Sequence, residues 1–394
     1  MTDPLKRFVA TALVLAVATL LWLPAVGALF RPDPTDLSTS PAGPRARALL
    51  GRQLALWEEP ALRAAALEPM RRNNPEWDFM GRTYLVMALG NVALSEPDLR
   101  ERALAAIDAM LEDTLRLEQE RGPTHFLLPY VHRAPFRSPV AGSVFVDGEV
   151  AMMLATRQLV SPSERWRLTL RERVQRVEAE LEAGPLLSAE SYPDECWTFC
   201  NTFALAALRV SDASTGLDHR DLAARWLALA RERLVDPQTG MLVSSYTWDG
   251  RHLDGPEGSS LFMVAHSLML VDPAFARAQF ELGRAHLSQQ FLGFGWAREW
   301  PRTWVGPADV DSGPIVPFVD ASAGASGLAV LGASAFGDRE MLSGLLASLD
   351  LAAFPEEGAH GLRYAASNQV GDAVLLYALT FGPLWQHAAS EGPS

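Results

Sequence analysis

Past residue 44 the apolar positions of this chain recur at helical spacing, with little of the strict alternation a half-buried strand needs. The spacing predicts helices over 44–68, 76–93, 97–119, 144–158, 161–182, 195–210, 219–234, 257–271, 273–289, 320–336, 338–350 and 368–381. Two kinds alternate. "ERWRLTLRERVQRVEAELEA" (Glu164 to Ala183) and "DHRDLAARWLALARERL" (Asp218 to Leu234) carry one charged face and one apolar face. "EVAMMLATRQL", "CNTFALAALRV", "SSLFMVAHSLML", "DASAGASGLAVLGASAF" and "SNQVGDAVLLYAL" are apolar or small on nearly all sides. A helix apolar all round is a buried one. Exposed and buried helices in alternation predict an all-α fold, an (α/α)6 toroid with outer helices around an inner barrel.

Connection lengths point the same way. Links from an inner helix to the next outer one are mostly short. Links from outer to inner are mostly long, as in "RGPTHFLLPYVHRAPFRSPVAGS", "VDPQTGMLVSSYTWDGRHLD" and "FLGFGWAREWPRTWVGPADVDSGPIVPFV". Long links of this kind are usually functional. In an alternating ring they fall at one end, together with the N-termini of the inner helices, where partial positive charge gathers.

Before the ring, Phe8 to Phe30 carries no charge and follows Lys6 and Arg7. As a helix it is long enough to cross a hydrocarbon core of about 30 Å. The flanking positive charges place the N-terminus in the cytoplasm. The expected location is the inner membrane with the barrel domain on the periplasmic side, or secretion if the segment is a cleaved signal peptide. "RPDPTDLSTSPAGPR" then reads as a Pro/Ser-rich tether. The resulting division is 1–30 anchor or signal, 31–44 tether, 45–385 barrel domain and 386–394 tail.

Composition removes some functions. The formal net charge of −13 excludes a nucleic-acid partner, because phosphate recognition needs a basic face. There is no HExxH, no zinc-spaced Cys/His set, no twelve-residue EF-hand loop, no P-loop and no dinucleotide-binding glycine fingerprint. No metal and no cofactor is expected. The only cysteines, Cys196 and Cys200, lie four apart at the start of a predicted helix. That stacking holds their Cβ atoms about 5–6 Å apart, too far for an undistorted disulfide.

Candidate chemistry gathers at the inner-helix starts. "NNPEWDFMGRTY", "VFVDGEV", "SYPDECWTFCN", "DGPEGSS", "FVDASAGAS" and "ASNQVGD" would converge on one cavity. Asp78, Asp147, Glu149, Asp194, Glu195 and Glu257 lie at successive starts. One such acid alone reads as a helix cap or first-turn acid. Several at one cavity read as a site, since a carboxyl in an apolar cavity has its pKa raised and can act as acid or base. Asp78 and Tyr84 are six apart, so both reach the cavity only if one lies at its mouth. Cys200 reads as a core residue or a proton donor, and His266 as a core residue. The longest link, Gly293 to Phe318, holds Trp296, Trp300 and Trp304 with Arg298, Glu299, Asp309 and Asp311. Such a link can stack on sugars, enclose an apolar ligand, or simply pack on itself.

In three places the chain resembles the linalool dehydratase/isomerase-like (α/α)6 proteins. "WDFMGRTY" has that family's Asp and Tyr six apart, here Asp78 and Tyr84. "VFVDGEVAMML" has Glu149 where the family carries a histidine after a glycine. "SYPDECWTFCN" matches a segment with two cysteines nine apart, the second followed by Asn. Cys200-Asn201 is the second, and Ser191 stands at the first. The resemblance implies a cofactor-independent acid/base enzyme that adds or removes water, or moves a double bond, in a small and largely apolar alcohol. Asp78 or Glu149 would move the proton, Tyr84 would orient the leaving hydroxyl, and Cys200 would sit against the reacting centre. Asp147, Ser191, Glu195, Asn201, Glu257, Trp296, Trp300, Asp309 and Asp311 would contact the substrate.

Two other readings stay open. Many (α/α)6 toroids handle glycans, with Glu149, Glu195, Asp309 and Asp311 as the candidate carboxylates of a glycosidase. A membrane-tethered binding or scaffold protein is the third, since fold does not imply function. The partners expected are a small-molecule substrate and the membrane, with a homo-oligomer left open.

Overall fold

Proline and short polar side chains set the helix starts. In the computed structural model, which describes residues 3–39, 42–140, 142–306, 310 and 312–391, α1 spans Asp3–Leu29, α2 Pro44–Glu58, α3 Pro60–Asn73, α4 Pro75–Ser95 and α5 Arg100–Arg121. Then follow α6 (Val144–Val160), α7 (Glu164–Ala183), α8 (Thr198–Thr215), α9 (Arg220–Arg233), α10 (Gly258–Leu268) and α11 (Pro273–Leu287). The last are α12 (Ala323–Ala335), α13 (Arg339–Ala352), α14 (Gln369–Thr380) and α15 (Pro383–Glu391). Proline opens α2, α3, α4 and α11, where its missing N–H costs nothing. Asn74, Asp272, Ser322, Asp338 and Asn368 cap their helices by accepting from backbone N–H groups one turn in.

The inner ring is closed. α4 packs on α6, α6 on α8, α8 on α10, α10 on α12, α12 on α14, and α14 returns to α4. α5, α7, α11 and α13 lie outside, each against an inner neighbour, and α2 lies outside α14. This is the (α/α)6 toroid that the alternation predicts. The expected first helix, 44–68, is two helices. Glu59 precedes Pro60 and is extended (φ −113°, ψ 101°), as the pyrrolidine ring demands of its predecessor.

The long links carry short antiparallel strands that the apolar pattern does not announce. They are β1 (Cys196–Trp197), β2 (Ser245–Tyr246), β3 (His252–Asp254), β4 (Ser288–Phe291), β5 (Phe294–Ala297), β6 (Ile315–Val316), β7 (Ala321–Ser322), β8 (Pro355–Gly358) and β9 (Gly361–Tyr364). Two to four residues are too few to show a period of two. β1 pairs with β2, so Cys196 sits in a strand and α8 starts at Thr198, three residues later than its expected start. The two cysteines are free thiols.

Both ends of the chain depart from the expected division. The segment read as a tether is partly docked: Arg45 bonds Asp36 and Asp350 (3.2 and 2.7 Å) and donates to Tyr364 Oη (2.7 Å). From 386 to 391 the chain is part of the barrel, because α15 closes the end opposite the long links. It packs on α4, α6 and α8, with Leu384, Trp385 and Ala388 buried. Asn91 Oδ1 accepts from the Leu384 N–H at 2.7 Å. There His266 is a core residue: Nε2 meets Tyr377 Oη at 2.9 Å, Phe381 and Trp385 flank the ring, and burial pushes its pKa down to about 3. α1 is the one described helix long and apolar enough to cross a membrane.

Candidate active site

The site forms where α4, α6 and α8 enter the barrel. Gly148 lets α6 and α8 approach closely: a methyl group there would stand 3.0 Å from Ala204 Cβ. The next residue, Glu149, thereby faces the first turn of α8. Its carboxyl is buried, and Oε2 accepts from Thr83 Oγ1 at 2.7 Å. Burial pushes its pKa up to about 8. The Thr83 hydrogen bond opposes this shift, and the nearby Glu76 adds to it. The group is therefore a neutral acid near pH 7.

Two more proton carriers adjoin it. The Tyr84 hydroxyl is buried and has no hydrogen-bond partner among the described residues. Burial holds its pKa up, with Glu149 and Cys200 close enough to contribute. The Cys200 thiol is raised by burial, opposed by the Ser191 hydroxyl and reinforced by Glu149 and Glu76. It stays protonated, a donor and not a nucleophile. Glu76, which sequence reasoning left out, accepts from Tyr192 Oη. The Tyr192 ring stacks on Tyr130 at 4.2 Å, and Tyr130 donates to Glu195 Oε2 at 3.2 Å. Glu76 was findable: seven residues before Thr83, it lies two turns away on the same face of α4.

Residues 147–370, more than half of the chain, match the linalool dehydratase/isomerase family. The chain belongs to that family. Among solved structures it is similar to two glycoside hydrolase family 76 proteins of Bacteroides thetaiotaomicron. One is an α-mannanase, at TM-score 0.46 and 12% identity over 78% of this chain and 86% of that one. The other is a mannosidase, at TM-score 0.45 and 9% identity over 79% and 88%. The sequence resemblance expects a histidine at the position of Glu149 and a cysteine at that of Ser191. Both positions lie in the buried cluster, at Tyr84 and Cys200.

Several expected site residues have other work. Asp78 does not join the cluster. Its carboxylate is held by Arg71 on one oxygen and by Arg82 Nε at 3.1 Å on the other. Arg82 continues to Asp113 and Thr114 of α5. Asp147 turns outward to Arg173 and Arg176 of α7. The helix geometry explains both. At roughly 100° per residue, two positions span roughly 200° and six span roughly 240° net. If Glu149 and Tyr84 face inward, Asp147 and Asp78 cannot.

Asn201 is a scaffold residue and not a substrate contact. Its Oδ1 accepts from the Ala189 N–H (2.7 Å), and its Nδ2 donates to the carbonyls of Ala189 (3.0 Å) and Trp197 (2.9 Å). These bonds hold the segment that carries Ser191. Asn201→Ala strands two buried backbone groups, and we expect a loss of about 1–3 kcal/mol, read as a shift in the denaturant midpoint.

Glu257 is buried at the start of α10, its N–H donating to Ser244 Oγ at 2.9 Å. Trp296 Nε1 donates to the Val319 carbonyl (2.9 Å), and Trp304 packs on Gly255. The Trp300 indole N–H is buried without a partner among the described residues. Asp309 and Asp311 lie outside the described residues. The residue that fixes this link is Glu299. It accepts from the Ser259 N–H (3.1 Å) and from the hydroxyls of Ser259, Ser312 (3.2 Å) and Ser322 (2.5 Å). Its carbonyl takes the Gly258 N–H at 2.7 Å. One buried acid thus clamps the link onto the starts of α10 and α12. A second unforeseen carboxyl, Asp372 on α14, borders a hollow of about 370 Å³ beside Trp77 and Met70. Burial pushes its pKa up to about 7.

Proposed function

We propose that this protein is a cofactor-independent hydro-lyase or isomerase acting on a small, largely apolar alcohol. The observation that carries the reading is the neutral Glu149 carboxyl, buried beside the unpartnered Tyr84 hydroxyl and the protonated Cys200 thiol. In dehydration, Glu149 gives its proton to the substrate hydroxyl and water leaves. The carboxylate so formed then takes a proton from the adjacent carbon. The products are an alkene and water, and Glu149 ends in its starting state. Tyr84 donates a hydrogen bond to the departing oxygen. Cys200 lies against the carbon skeleton, where a thiol is a small apolar surface. α1 holds the barrel on the outer side of the membrane.

The test is turnover of two panels, small apolar tertiary and allylic alcohols and short oligosaccharides, with alkene and deuterium uptake read by mass spectrometry. Alkene formation from an alcohol supports the reading. Glycan cleavage with inert alcohols moves the protein to the carbohydrate class, and inertness to both favours a binding role. Because the acid form of Glu149 starts the cycle, the rate should fall as pH rises through about 8.

Tyr84→Phe separates function from packing. The hydroxyl has no partner to lose, so the melting temperature should hold or rise. Turnover should fall about 100-fold, the scale of one placed hydrogen-bond donor. A destabilised variant with normal turnover would remove Tyr84 from the mechanism.

A further inference from the structure

Large apolar side chains are exposed at one end of this barrel. Outside α1, Phe291, Val305, Val316, Phe318, Val319 and Phe354 stand in solvent, all in links that run from an outer to an inner helix. They therefore rim the end where the inner helices begin and the Glu149 cluster lies. Leu168, on the outer helix α7, and Leu351, on the outer helix α13, are the contrasting exposed residues on the barrel wall. Phe318 is wholly exposed and sits at φ 71° in the β6–β7 turn. A bulky residue rarely takes that backbone region, and the turn spends it on presenting the ring outward.

The apolar helix α1 arrives at the same place. The backbone at Gly27 touches the Leu292 carbonyl at the tip of the β4–β5 hairpin, so closely that a methyl group there would collide. Phe30 packs against Phe294 with the rings tilted, ring centres 6.2 Å apart. Trp296 on the same hairpin reaches Val319 in the next one. These contacts precede the Pro/Ser-rich segment. They set the hairpin tips level with the end of α1.

We propose that this rim is a bilayer-docking surface, seated in the headgroup region of the membrane that α1 spans, with the barrel mouth facing the lipid. The proposal rests on reading α1 as a membrane span. A contiguous apolar rim with half-buried tryptophans is what an interfacial segment needs, since aromatic rings favour that depth. The chain's net charge of −13 makes docking an apolar matter, so a zwitterionic surface suffices. The link that bears most of the rim also bears Glu299, which clamps it to the starts of α10 and α12. A lipid-dissolved alcohol would reach the mouth without crossing water.

The experiment uses the full chain in phosphatidylcholine nanodiscs. Single cysteines replace Phe318, Leu13 and Leu168, and each is labelled with an environment-sensitive fluorophore. Cys196 and Cys200 are buried and should not react in the folded protein. Lipids carrying a nitroxide at the headgroup, and in a separate sample near the acyl-chain end, are the quenchers. The expected result is strong quenching at 318 by the shallow label and at 13, near the middle of α1, by the deep one, with none at 168 by either. Quenching at 13 without 318 overturns the docking and leaves the span intact. Quenching at neither site overturns both. Quenching at 318 without 13 removes the span and overturns the proposal as stated, leaving a rim that binds lipid without an anchor. A blue-shifted but unquenched probe at 318, with cross-linking to a second copy, assigns the rim to a subunit interface and overturns the proposal.

Discussion

Glu149→Gln should lower turnover by about 1,000-fold, within the range for loss of a positioned acid or base, and should make the protein more stable in alkali. The stability sign follows from the folded-state pKa of about 8, against an unfolded value of about 4.3. The folded chain holds this proton more tightly than the unfolded one. The group's relative stabilisation is therefore complete below about pH 4.3 and lost as pH rises to about 8. Above pH 8 the charged, buried carboxylate costs on the order of 5 kcal/mol. Glutamine carries no charge and keeps an oxygen for the Thr83 hydroxyl. The melting temperature of the variant should exceed that of the parent at pH 9, and the two should converge near pH 5. A variant that loses activity while gaining stability marks a residue kept for function. Unchanged turnover would remove Glu149 from the reaction.

Asp78→Asn should do the opposite. Two guanidinium groups converge on this buried carboxylate, and one of them, Arg82, is itself buried. An amide cannot balance them. Breaking a buried pair by removing one partner typically costs about 3–5 kcal/mol. Denaturant titration should show that loss, together with weakened docking of α4 on α5 through Asp113 and Thr114. Turnover per folded molecule should fall far less than for Glu149→Gln. Full stability with abolished turnover would return Asp78 to the reaction.

The two acids stood side by side as candidates on sequence grounds, and their separation shows where such reading stops. Both begin inner helices and both precede apolar runs. What divides them is the partner each meets. Arg71 reaches Asp78 from α3, across a proline-broken junction. Arg173 reaches Asp147 from α7. Glu149 meets a threonine from α4 and, among the described residues, no cation. A guanidinium stabilises the ionised carboxylate, whereas a dry, uncharged wall stabilises the acid. Helix phase foretells which side an acid faces, but not what waits there.

By itself the sequence determined the alternation of exposed and buried helices, because burial all round is written in composition and needs no partner to be read. It also determined the end at which the long links gather, the apolar N-terminal helix, and the cysteine, tyrosine and glutamate that make the cluster. Only the tertiary structure decided which acids are neutral, that Glu76 and Glu299 matter, and that α15 closes the barrel. It alone turned Asn201 from a substrate contact into a brace. Those outcomes depend on groups tens to hundreds of residues apart brought within 3 Å. At that range desolvation and charge pairing, which no local pattern encodes, set the chemistry of each side chain.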